Sequence, residues 1–188
     1  AIANRNVLCD LVYPHDDFEK YRVIVAAAFY IVSEDLAVKL KTYVARGGTL
    51  LFTSFSGLAD ENGRIWDTPA PAHLTDLFGL EVIDYGSPSR AAGDIKLISR
   101  EGMRSPEICL DPKWIDEISI LDPGTEVLAE FDNPFYRHVP ALTRHRHGRG
   151  SAYYLGTLLD QEDYDRFYGA MLKEWNIHPL MVLPDRSE

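Results

Sequence analysis

The chain has 188 residues, 46% of them hydrophobic and 26% charged, which places it among globular proteins and outside the disordered class. Its formal net charge of −10 argues against a general affinity for nucleic-acid phosphates or an anionic membrane, since approach is repelled. No run approaches the ~20 apolar residues of a membrane span, and Ala1–Arg5 has no apolar run behind a basic end, so neither a span nor a signal peptide is read and a cytoplasmic location is expected.

Ala1–Asn6 reads as the tail of a helix, and Val7–Tyr13 as a strand ended by the turn chemistry of Pro14-His15-Asp16-Asp17. Phe18–Tyr21 is a short turn or a single helical turn. Arg22–Phe29 is a nearly continuous apolar run, as expected of a strand covered on both faces. Ser33 caps a helix with Glu34 and Asp35 in its first turn, where acidic groups meet the positive end of the helix dipole. Leu36, Leu40, Tyr43 and Val44 give that helix one apolar face, and Gly47-Gly48 ends it. Thr49–Thr53 is a buried strand, followed by Ser54-Phe55-Ser56-Gly57 and a turn at Asn62-Gly63. In an open α/β sheet ligands gather at the carboxyl ends of strands, so this junction is where a site is sought.

A second helix is predicted from Ala72 to Phe78, stopped by Gly79, and a strand from Leu80 to Tyr85. Between Arg90 and Pro123, short apolar patches alternate with Gly, Pro and Asp, which suggests short strands and an excursion from the sheet. Thr125–Phe131 is a strand. Pro140–His147 and Ser151–Leu155 form a hairpin around Gly148-Arg149-Gly150. Asp160 caps a closing helix that runs to Asn176, with Tyr164, Phe167, Met171, Leu172 and Trp175 as its stripe, and the tail after Pro179 frays. With no repeat and no low-complexity linker, residues 1–188 read as one domain. The β-β-α-β order with short joints favours an α/β, three-layer, mostly parallel sheet.

The candidate chemistry is sparse. Thr53, Ser54 and Ser56 sit at a strand end, but neither serine has the glycines two residues before and after that a nucleophile elbow needs. Asp60-Glu61 is a carboxylate pair, yet glycoside hydrolysis needs two carboxylates facing one bond across ~5 to 9 Å, and adjacent loop residues do not face each other that way. His145-x-His147, with His138 nearby, invites a metal reading, which the crowding by Arg144, Arg146 and Arg149 opposes. The same arginines lack the interleaved aromatics of a single-strand binder. Cys9 and Cys109 sit in apolar sequence surroundings and read as buried free thiols. Catalytic residues, cofactor and metal are all expected to be absent.

Several blocks together carry a resemblance. They are V-I-V-A-A-A-F-Y-I-V-S-E-D at 23–35, Y-V-A-R-G-G-T-L-L-F-T-S-F-S-G-L-A-D-E-N at 43–62, L-T-D-L-F-G-L-E-V at 74–82, and P-A-L-T-R-H-R-H-G-R-G-S-A-Y-Y-L-G-T-L-L-D at 140–160. In this order the chain resembles the trimerisation domain of family 42 glycoside hydrolases, the bacterial β-galactosidases. The resemblance implies a flavodoxin-like fold, similar to class I glutamine amidotransferases, that is not itself the catalyst. It implies a homotrimer whose TIM barrel binds and hydrolyses terminal β-D-galactosides. A barrel takes about 250 residues, so this chain cannot contain one beside the domain. It also implies that the first strand and helix of the domain are missing here. Amidotransferases carry a cysteine after the strand that follows the Gly-Gly pair; by spacing that position is Phe55. The loop residues Phe55, Ser56, Asp60, Glu61 and Asn62 are then expected at an interface or a neighbour's sugar pocket. Two rival readings are a stand-alone amidotransferase-like or hydrolytic enzyme using the Thr53–Ser56 turn, and a sugar-binding module.

Overall fold

The computed structural model describes residues 2, 5–87, 96–99 and 112–179. In chain order its elements are β1 (Val23–Ala26), α1 (Glu34–Ala45), β2 (Thr49–Thr53), α2 (Thr75–Phe78), β3 (Leu80–Gly86), β4 (Lys96–Ser99), β5 (Ile115–Ile120), β6 (Glu126–Asp132), β7 (Pro140–His147), β8 (Gly150–Leu155) and α3 (Gln161–Glu174). Six strands form one sheet in the order β1-β2-β8-β7-β6-β4, while β3 and β5 form a separate antiparallel pair.

The expected mostly parallel sheet is in fact mixed. β1, β2 and β8 run parallel, but β8-β7, β7-β6 and β6-β4 are antiparallel. The cause is local. Gly148-Arg149 joins β7 to β8 in two residues, and a connection that short can only link antiparallel neighbours.

Helices cover both faces. Side chains alternate along a strand, so Leu50 and Phe52 of β2 point to one side with Ala152 and Tyr154 of β8, against α1 and α2. Leu51, Tyr153 and Leu155 point to the other side, against Phe167, Met171 and Leu172 of α3. Both helix starts are as the sequence predicts. Ser33 Oγ accepts from Leu36 N at 3.3 Å, and an Asp160 carboxylate oxygen accepts from Asp163 N at 2.9 Å.

The β7–β8 tip docks on the end of α1. Arg149 N donates to Ala45 O at 3.0 Å and Ser151 N to Gly48 O at 3.3 Å, so the hairpin supplies a donor to the last carbonyl of the helix and another to the Gly-Gly stop beyond it. The approach is close enough to require glycine. A Cβ at Gly150 would sit 2.2 Å from both Gly48 O and Val44 O.

Several expectations are corrected. Val7–Tyr13 is not a strand: it joins no strand ladder among the described residues, and Leu8 and Leu11 are 77% and 82% exposed. A strand exists through its ladder, and apolar content alone does not make one. The run at Arg22–Phe29 yields only Val23–Ala26, a half-buried edge strand: Val23 and Val25 pack on one core and Ile24 and Ala26 on the other, but no strand of the described residues lies beyond it. The helix at Ala72–Phe78 is a single turn. His73 has φ +61°, and Ala70 O is already engaged by Val82 N at 2.8 Å. Leu80–Tyr85 is a strand, but it leaves the main sheet for the β3-β5 pair. Cys9 is exposed, not buried, since it lies in the unpaired stretch. Cys109, most of residues 90–111 and the tail beyond residue 179 fall outside the described residues.

Candidate functional site

The carboxyl ends of β1, β2 and β8 bring three segments together: residues 27–31, residues 54–64, and residues 114–116 at the start of β5. Immediately after β2 the chain turns sharply at Phe55, which has φ +65°, a left-handed conformation uncommon for a residue other than glycine. A strained turn at a strand end is the backbone of a nucleophile elbow. Here its side chain is a phenyl ring.

The neighbouring hydroxyls are occupied in holding the loop. Thr53 Oγ1 accepts from Ala28 N at 2.8 Å. Ser56 Oγ accepts from Phe29 N at 2.9 Å and donates to Thr53 O at 2.7 Å. These bonds fasten the β1 exit to the β2 exit. Gly57 completes the turn at φ +69°, and a Cβ there would come within 2.9 Å of Pro71 Cα. Ser54 Oγ is buried beside Asp116 yet makes no hydrogen bond of acceptable geometry. Ser56→Ala is therefore expected to cost about 2 kcal/mol, because Phe29 N loses its acceptor. Ser54→Ala should change stability by less than about 0.5 kcal/mol. Urea unfolding of the two variants side by side measures the difference.

Asp60 is buried and closes its own turn. Its carboxylate accepts from Asn62 N at 2.9 Å, Arg64 N at 2.8 Å and Arg64 Nε at 3.0 Å. The Arg64 backbone N–H is the first cause that holds this carboxyl below its usual range. A carboxyl with a lowered folded-state pKa contributes stability above its unfolded pKa and loses it as pH falls through the folded value. Asp60→Asn should thus weaken the turn at neutral pH and flatten the acid side of a stability profile, read by thermal melts from about pH 3 to 7. Glu61 and Asn62 are exposed at the loop tip. Asp60 and Glu61 do not form a facing pair, since one is locked inward and the other points out.

Beneath Phe55 lies a group the sequence reading did not single out. Asp116 is 0% exposed. One carboxylate oxygen accepts from Trp114 Nε1 at 2.9 Å, and the other from the Tyr154 hydroxyl at 2.8 Å. Burial pushes its pKa up, opposed by the bonds from Tyr154 and Trp114. Burial also pushes the Tyr85 phenol up to about 12, with Asp116 and Tyr30 adding to the rise. The Trp114 ring packs against Phe55 at 4.7 Å and Tyr85 at 6.2 Å between centroids. The signal available beforehand was Trp114-x-Asp116, two residues that share one face at strand spacing. Their partner Tyr154 lies 38 residues further along the chain.

The hairpin residues serve the fold. His145 is buried, with Nδ1 2.8 Å from Leu77 O and Nε2 3.4 Å from Asp122 Oδ2. Arg144 pairs with Glu126 and with Glu174, the latter at 2.7 Å, and Arg149 donates to Arg46 O at 2.9 Å. Among the described residues no three His, Cys, Asp or Glu side chains are grouped to hold a metal ion. Among them, too, no helix is long and apolar enough to cross a membrane.

Comparison with known proteins decides the family. The family model described as the β-galactosidase trimerisation domain matches residues 1–178. The chain belongs to this family. It is 33% identical over 184 residues to the β-galactosidase BgaB of Geobacillus sp. (strain Y412MC61), covering 98% of this chain and 26% of that protein. It is 32% identical over 184 residues to the β-galactosidase LacZ of Heyndrickxia coagulans, again over 98% of this chain and 26% of the relative. The chain thus spans about a quarter of the length of the curated relatives it matches. Among solved structures, the β-galactosidase of Bacillus circulans sp. alkalophilus superposes with a TM-score of 0.84 at 26% identity, over 96% of this chain and 26% of that one. The family 42 β-galactosidase Gan42B of G. stearothermophilus gives a TM-score of 0.81 at 26% identity, over 96% of this chain and 25% of that one. In this trimerisation-domain family the sheet-end junction of the present chain holds a phenyl ring, tethered hydroxyls and a buried acid.

Proposed function

We propose that this trimerisation-domain chain is a non-catalytic assembly module. It joins subunits of a β-galactosidase into a homotrimer, while a TIM barrel outside these residues binds and hydrolyses terminal β-D-galactosides. The observation that carries the reading is Phe55. It stands at the strained turn after β2, where the amidotransferase-like plan that we read would place a nucleophile, and the hydroxyls of Thr53 and Ser56 are spent on backbone bonds. No cofactor is needed for this role. The exposed free thiol of Cys9 suits a reducing compartment, so we place the protein in the cytoplasm.

We read residues 1–188 as one domain with a flavodoxin-like, amidotransferase-like plan that is short of its first strand and helix. Supporting this, an apolar groove of about 720 Å³ runs between the unpaired stretch at residues 7–14 and the free edge of β1. It is walled by Val7, Val12, Val23 and Val25, with Leu36 and Leu172 contributed by the helices. A groove with an open strand edge along one side and apolar walls suits one further strand. In the candidate loop, Ser56 and Asp60 set the shape, leaving Phe55, Glu61 and Asn62 to make the contact.

The purified chain should show no turnover of a chromogenic β-galactoside, and light scattering should give a mass of three chains. Galactoside turnover by this chain, or a mass of one chain at all concentrations, would overturn the reading.

A further inference from the structure

We infer that the aromatic face built from Tyr30, Phe55, Tyr85 and Trp114 is the surface through which this domain docks on a second copy of the chain. The inference deepens the assembly role above and rests on it. Tyr30 and Tyr85 are 42% and 39% exposed and close enough for one phenol to act on the other, and Ile31, next to Tyr30 in the chain, is 46% exposed. The rings of Phe55 and Tyr85 flank Trp114, and this grouping is made by residues far apart in sequence.

Two features mark it as a built surface. The first is that its centre is held rigid. Trp114 Nε1 is fixed on the buried Asp116 carboxylate, and Phe55 is fixed by a turn whose next residue, Ser56, is bonded on both sides. Rings already ordered in the free protein lose little entropy on docking, and Tyr and Trp are the residues that most often anchor interfaces. The second is charge. A chain of net charge −10 repels its own copies, so contact favours a face of uncharged rings. The occupant follows from the family, whose described role is trimerisation. Leu8 and Leu11, the most exposed leucines among the described residues, lie on a stretch with no strand pairing, which would have to be ordered on contact.

The test is sedimentation velocity on the 188-residue chain over about a hundredfold concentration range, with a thermal melt of each variant. Tyr30→Ser with Tyr85→Ser is expected to weaken self-association at least tenfold with the melting temperature held within a few degrees. Tyr30→Lys alone, at the more exposed site, should weaken it in the same direction and serves if the double variant does not fold. Unchanged association in these variants overturns the inference, as does a large fall in melting temperature without a change in association. Association lost instead in Leu8→Ser with Leu11→Ser overturns this face but leaves the assembly role standing. A wild-type chain that is monomeric throughout overturns both.

Discussion

Gly150→Ala is expected to lower the unfolding free energy by about 3 kcal/mol, at the upper end of what overpacking ordinarily costs. The added methyl would meet two carbonyl oxygens, Gly48 O and Val44 O, each at 2.2 Å. Both are backbone atoms, so no side-chain rotation relieves the contact. The hairpin tip must lift, and lifting it breaks Arg149 N to Ala45 O, which leaves the last carbonyl of α1 unsatisfied, and Ser151 N to Gly48 O beside it. The damage falls on a central strand, since β8 pairs with both β2 and β7. Urea unfolding should show a lower midpoint with an unchanged slope. Gly63→Ala is the control. Gly63 has φ +75° but nothing within 4 Å of its would-be Cβ, so only the backbone term of about 1 kcal/mol applies. Equal losses in the two variants would refute the close approach at the hairpin tip.

Asp116→Ala is expected to cost a similar amount, about 3 kcal/mol. It leaves the Trp114 indole N–H and the Tyr154 hydroxyl without their acceptor in the interior, and each such orphaned group costs about 1 to 3 kcal/mol. Asp116→Asn should cost less, because the amide oxygen still accepts one of the two donors. The pair of variants also tests the ionisation. Burial raises the Asp116 pKa above its ordinary value of 3.8. As pH rises through 3.8 the unfolded chain releases this proton first, the native state holds the excess proton, and stability falls until the folded-state pKa is passed. The stability of Asp116→Asn relative to the wild type should therefore improve as pH rises from about 4 toward neutrality. The direction is opposite to that of Asp60, whose lowered pKa makes its contribution vanish on acidification. A wild-type-to-Asn difference that is constant from about pH 4 to 7 would show that the carboxyl is not penalised by burial. Tryptophan emission of Asp116→Ala should shift as well, because Trp114 loses the bond that fixes its ring.

Elements carried by local rules were legible in the residues. α1 begins at Ser33 because its hydroxyl reaches Leu36 N three residues on, and it ends at Gly47-Gly48 because Gly47 takes φ +115°. The hairpin at Gly148-Arg149 and the cap at Asp160 are of the same kind. Val7–Tyr13 shows the limit. Its composition suits a strand, yet a strand needs a neighbour, and nothing within those seven residues records whether one is present. Leu80–Gly86 has the right composition too, but its choice of β5 over the main sheet is a long-range pairing. Of the candidate loop, the turn chemistry of Ser54-Phe55-Ser56-Gly57 marked the end of the strand, and Phe55 and Gly57 take positive φ there. That Ser56 and Asp60 face inward depended on acceptors and donors from other segments.

The sequence alone thus determined that a phenylalanine, Phe55, follows Thr49–Thr53 by two residues in the segment Ser54-Phe55-Ser56-Gly57 that ends this strand. It determined the α1–β2 unit as well, whose caps and apolar spacing are properties of neighbouring residues. Only the tertiary structure decided what lies at that junction. Asp116, Trp114 and Tyr154 meet under Phe55 because β5 passes the carboxyl ends of β2 and β8, and burial there makes each unmet hydrogen bond costly enough to specify its partner. No period or spacing within one segment encodes a contact between strands 38 residues apart.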